Sequence, residues 1–226
     1  MAIAFVNQVR NNSTTAGTSI TTFPQVNHTT GNLVVAFIST GTNNATQVTS
    51  VTDTAGNTYA RFAGINNAAI GSLECWYAFN ITGNANNFIT ANFPSSSFRT
   101  IQVLQFSGVA ISSPTDQSSN NQSSSNQTVF NSGNITTTEA NEVLIVADQT
   151  FSGPTRTGTN SFTVVVGTAT DFSSGYLVVS STGTYTGGFN YTAGTGAGVL
   201  MLLVSFKDIN QPSSTPLPRR RIRKFF

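Results

Sequence analysis

The sequence predicts an all-β, antiparallel sandwich made of two similar halves, with essentially no helix. Three observations support this. Gly31-Asn32-Leu33-Val34-Val35-Ala36-Phe37-Ile38-Ser39 is a nearly continuous, β-branched apolar run entered through Thr29-Thr30. It reads as a strand covered on both faces and is too short for a convincing helix. Residues 140–147 (Ala-Asn-Glu-Val-Leu-Ile-Val-Ala) repeat the pattern after a second threonine run at 136–138. Finally, only 8% of the 226 residues are charged, against about 25% in an ordinary globular protein. Thr, Ser, Asn and Gly take their place, and strong helix formers are scarce.

In chain order, residues 3–9 alternate enough for a first strand, and 20–26 form a second, with Pro24 favouring an edge or a strand end. Residues 33–38 are the central strand. Residues 47–53 and 59–62 flank Thr54-Ala55-Gly56-Asn57, which reads as a hairpin connection. There Asp53 and Asn57 can bond neighbouring amides and Gly56 can take positive φ. A Ca²⁺ site at Asp53 and Asn57 is disfavoured, since the loop offers one carboxylate. Strands follow at 73–81, 87–93 and 100–109. Residues 112–128, almost all Ser, Asn, Gln and Thr, read as a long surface loop. Further strands are expected at 128–130, 143–149, 161–166, 176–181, 186–191 and 199–208.

The halves, about 1–111 and 129–209, match in order. Residues 31–39 correspond to 140–148, 72–82 to 175–183, 87–93 to 187–193, and 101–108 to 200–207. The first half has an additional hairpin at 51–62. Two four-stranded halves closing face to face would make a jelly-roll-like sandwich over residues 1–209, leaving 210–226 as a Pro-rich spacer and basic C-terminal arm. Gly31-Asn32-Leu33-Val34-Val35-Ala36-Phe37, Val51-Thr52-Asp53-Thr54-Ala55-Gly56-Asn57-Thr58-Tyr59 and Phe106-Ser107-Gly108-Val109 resemble the jelly-roll-type modules of phage virion proteins and bacterial surface proteins. The resemblance implies a fold and carries over no functional residues.

Chemistry is sparse. Cys75 is the single cysteine, so neither an intrachain disulfide framework nor a metal spacing exists. No cofactor is expected. His28 is the single histidine and would have to serve alone as the base of any Ser-His-Asp triad. A glycosidase needs two carboxylates across a cleft, yet Glu139 and Glu142 look like a solvated rim at a strand start. Within 73–79, Leu73, Cys75, Tyr77 and Phe79 share one face and Glu74, Trp76 and Ala78 the other. The first set is the better core face, which would turn Trp76 and Glu74 outward as a sugar-stacking platform; a buried or interfacial Trp76 is the favoured reading beside it. The chain is therefore expected not to be an enzyme.

The net charge of +2 is uneven. Residues 1–210 hold five cations against eight acids, and 211–226 hold five cations and no acid. The arm ends in Arg219, Arg220, Arg221, Ile222, Arg223, Lys224, Phe225 and Phe226, a cationic stretch closed by an apolar anchor. It suits docking on a neighbouring subunit better than nucleic acid or membrane, because the mildly acidic body provides no wider basic footprint. No Sec-type signal peptide is recognisable at the N-terminus. These features point to a structural or assembly protein of a virion or extracellular filament surface, in capsid decoration, fibre or subunit docking. Its partners would be copies of itself, as a homo-oligomer, or a capsid or filament protein. The alternative is a carbohydrate-binding module or adhesin using Trp76 on a glycan.

Overall fold

The computed structural model describes residues 2–44, 46–166 and 171–210. The first half contains β1 (Ala4–Ser13), β2 (Gly17–Thr21), β3 (Val26–His28), β4 (Leu33–Thr40), β5 (Ser50–Asp53), β6 (Ala60–Asn67), β7 (Gly71–Ala78), β8 (Asn84–Asn87), β9 (Ile89–Ser96) and β10 (Arg99–Ser107). The second contains β11 (Thr115–Ser123), β12 (Val129–Asn131), β13 (Ile135–Thr136), β14 (Glu142–Gln149), β15 (Arg156–Gly158), β16 (Thr163–Val164), β17 (Phe172–Val179), β18 (Thr184–Tyr185), β19 (Gly188–Tyr191) and β20 (Val199–Lys207). No helix occurs among the described residues.

The two halves have the same topology, strand for strand. The order β1-β10-β4-β7-β6 recurs as β11-β20-β14-β17-β16, β2-β9-β5 as β12-β19-β15, and β3-β8 as β13-β18. All pairings are antiparallel. In each half the first and last strands pair, and the chain passes repeatedly between a large and a small sheet, which is a jelly-roll-like winding.

The expected face-to-face closure of two halves is present, with a further layer on each side. The five-stranded sheets meet at a central seam, and each is backed by its own smaller sheet. This explains the all-apolar strands at the centre. Leu33, Val35 and Phe37 of β4 face the seam while Val34, Ala36 and Ile38 face the core of the first half. In β14, Val143, Ile145 and Ala147 face the seam, and Leu144 and Val146 the core of the second half. A period-two strand placed between two apolar layers has no face left for polar residues.

The seam has approximate two-fold symmetry. Tyr77, paired with Val35, lies 5.6 Å from Phe206 across the seam. Its counterpart Tyr176, paired with Ile145, lies 5.5 Å from Phe106. Phe106 and Phe206 occupy matching positions opposite Leu33 and Val143. Such reciprocal contacts are those of an isologous dimer interface, here enclosed within one chain.

Two expectations are corrected. Residues 51–62 are not a hairpin: β5 pairs with β9 in the small sheet and β6 with β7 in the large one, so the chain crosses between layers at Gly56 (φ 78°). Nor is this crossing peculiar to the first half, since β15 and β16 repeat it. Residues 112–128 are not a loop throughout, because β11 pairs along β20 as an edge strand. Main-chain hydrogen bonds define that strand and most of its side chains remain at least partly exposed, so no apolar alternation was needed to form it.

Candidate functional site

The outward Trp76–Glu74 platform is not formed. Glu74 is fully buried, and Trp76 is partly buried against the core of the first half. The face opposite Cys75 is covered by the small sheet, so both faces of β7 are interior. Glu74 Oε1 accepts from the Val48 amide at 2.9 Å, and Oε2 accepts from Arg61 Nε at 2.7 Å and Trp76 Nε1 at 3.2 Å. A carboxylate with these partners is structural and offers little to a sugar hydroxyl.

The second half has a related arrangement. Ile38 pairs with Glu74 in the first half, and at the matching pair Asp148 opposes Ser173, so the acid has moved to the other strand. Asp148 accepts from Arg156 Nε at 2.7 Å, Tyr191 Oη at 2.9 Å and the Ser173 amide at 3.0 Å. Both ionic side chains are wholly buried. Each sandwich thus contains one Arg–carboxylate pair on the inner face of its large sheet.

Asp53 closes the 53–57 turn. Its Oδ1 accepts from the Ala55 and Asn57 amides at 3.1 and 2.9 Å, and its Oδ2 from Asn57 Nδ2, Asn87 Nδ2 and Tyr59 Oη at 2.8, 3.0 and 3.1 Å. Burial opposes the charge, but these donors outweigh it and hold the Asp53 pKa below its ordinary value. The oxygens a cation would need are already occupied. Asn87 Nδ2 also donates to His28 Nδ1 at 2.9 Å, which leaves the His28 proton on Nε2. Burial lowers the His28 pKa to about 4, against the pull of Asp53. The imidazole is a neutral core group.

Glu142 differs from the solvated residue expected, for it is fully buried at the start of β14. Burial is the main cause that raises its pKa to about 7; a Ser205 hydrogen bond opposes the shift and nearby Asp116 adds to it. The folded state therefore holds this proton more tightly than the unfolded chain does. The stabilisation is complete below the ordinary glutamate value of 4.5 and is lost as pH rises through about 7. Urea unfolding at pH 4.5 and 8 should show roughly 2–3 kcal/mol of this dependence, and Glu142→Gln should flatten it.

Open polar groups also gather at a cleft on the seam. At one end of the seam a cleft of about 290 Å³ lies between the halves. Gly41, Ala68, Ala69, Ile70, Ser97 and Phe98 line it from the first half, and Gln149, Thr150, Phe151 and Asp171 from the second. The seam symmetry brings the ends of β4 and β14 together here. Gly41 N donates to Phe98 O at 3.0 Å, and Gly153 N to Asp171 Oδ1 at 2.7 Å, fixing both rims. Gln149 is 2% exposed; its Nε2 donates to Thr150 O at 2.8 Å, while its buried Oε1 has no donor.

Polar residues continue from the cleft along the seam. Thr100 and Gln102 share the face of Leu104 and Phe106 on β10, Ser39 opposes Thr100, and Arg10 opposes Gln102. Ser39 Oγ, Thr100 Oγ1, both Gln102 amide atoms, Arg10 Nε and Ser174 Oγ are buried without partners. Arg10 feels the charges of Arg156, Asp171 and Asp148, though burial is the main cause that lowers its pKa. Sequence reasoning missed this cleft; the glutamines interrupting two apolar strands were its only trace.

The predicted docking residues Arg219, Arg220, Arg221, Arg223, Lys224, Phe225 and Phe226 lie outside the described residues. Fold and site together define a tandem β-sandwich protein with a cleft on its internal seam. Comparisons with protein-family models, curated proteins and solved structures found no match to the chain.

Proposed function

We propose that this chain is a non-enzymatic structural or assembly protein of a virion or extracellular filament surface, joined to copies of itself or to a capsid or filament protein through its C-terminal arm. The observation that carries this reading is the seam, where two equivalent sandwiches bury a shared apolar face through reciprocal contacts of subunit-interface type. A module that already joins its own duplicate in this way suits assembly, and its low-charge Thr, Ser and Asn surface suits exposure outside a cell. Glu74, Asp148 and Asp53, acids that catalysis would draw on, hold the fold together instead.

The arm is the expected anchor. Light scattering and electron microscopy of the full chain should show oligomers or filaments, alone or with the cognate capsid or filament protein. Deleting residues 212–226 should leave the melting transition in place and abolish assembly. A full chain that stays monomeric and unattached would overturn the proposal, and normal assembly after the deletion would overturn the role of the arm.

A further inference from the structure

We infer that the seam cleft is a binding site for a single neutral sugar ring. The site is separate from the arm, so loss of sugar binding and loss of assembly are distinguishable results.

Three properties of the cleft select this ligand. Its volume of about 290 Å³ is at the small end of ligand pockets, about 300–1,000 Å³, which suits one ring or the terminal residue of a longer glycan. Two aromatic side chains, Phe98 and the 44% exposed Phe151, provide apolar faces of the kind that the C–H side of a pyranose covers. Apart from the Ser97 hydroxyl, which can donate or accept, the available side-chain polar atoms are acceptors. Gln149 Oε1 is buried with no donor, and Asp171 uses Oδ1 for the Gly153 amide while Oδ2 has no partner among the described residues. A buried acceptor left unsatisfied is costly, so a ligand bringing O–H donors is favoured.

Charge narrows the choice further. Asp171 disfavours an anion. A cation is also disfavoured, because Arg10 acts electrostatically on Asp171 and Arg156 reaches the cleft wall, donating to Thr150 Oγ1 at 2.9 Å. Behind the wall the buried Arg156–Asp148 pair is internally balanced, and Arg10 offsets the charge of Asp171, the charged side chain in the lining. The site is close to neutral overall, rich in acceptors and flanked by aromatic rings. A polyhydroxylated, uncharged ring matches all three features.

The test is saturation-transfer NMR on the full chain with the methyl glycosides of glucose, galactose, mannose and N-acetylglucosamine, and with spermidine as a cationic probe. At least one glycoside should show transfer and spermidine should not displace it. Phe151→Ala removes an exposed ring, so it should keep the fold while weakening binding about five- to tenfold. Asp171→Asn retains the Gly153 contact and should weaken binding by a similar factor. Absence of transfer from all four glycosides, binding unchanged in both variants, or displacement by spermidine would each overturn the proposal.

Discussion

Asp148→Ala is expected to destabilise the chain by about 3–5 kcal/mol, because it leaves the Arg156 guanidinium charged and buried without its partner. Both side chains are completely shielded. Arg156 would keep its bonds to Pro154 O and Thr150 Oγ1, while Tyr191 Oη and the Ser173 amide would lose their shared acceptor. Removing the whole pair should be much milder. An Asp148→Leu, Arg156→Met double variant discards the uncompensated charge and should lie closer to the parent than either single change. Urea unfolding followed by circular dichroism measures all three variants. A single-variant loss below about 1 kcal/mol would show that water reaches Arg156.

Phe206→Ala should cost a similar amount, about 3–5 kcal/mol. The ring is fully buried in the seam, with Phe62 at 5.4 Å and Tyr77 at 5.6 Å between ring centres. If the seam is two-fold in energy as well as geometry, Phe106→Ala should match it, since that ring meets Tyr176 at 5.5 Å and Phe5 at 5.6 Å. Phe23→Ala is the control: at 70% exposed it should shift stability by no more than about 0.5 kcal/mol. Differential scanning calorimetry of the three variants also reports whether the sandwiches melt together. One transition in the parent and two in Phe206→Ala would identify the seam as the element coupling them.

The parts of the fold legible beforehand were those where burial leaves a pattern. The apolar runs of β4 and β14, the turn donors around Asp53 and the matching order of the halves follow from local chemistry: β-branched strands, short polar side chains at turns, alternation by two. The edge strand β11 was illegible because it pairs through its main chain and its side chains are polar. The 51–62 crossing resembled a hairpin because the turn residues specify a reversal and are silent about which strand each arm will join. Glu142 and Glu74 were misplaced for a common reason. Their burial depends on a second layer contributed by distant parts of the chain.

Local sequence thus determined that the chain is all-β, that similar strands recur in matching order in its two halves, and that its central strands have no face left for solvent. Only the tertiary structure decided which strands share a sheet, that each half is a complete sandwich, and that the cleft exists. Its walls come from segments as far apart as Gly41 and Asp171, which a short sequence pattern does not connect. Gln149 and Arg10 acquire their open polar atoms only where the two large sheets meet and exclude water. That environment belongs to the packed pair of halves, and neither strand encodes it alone.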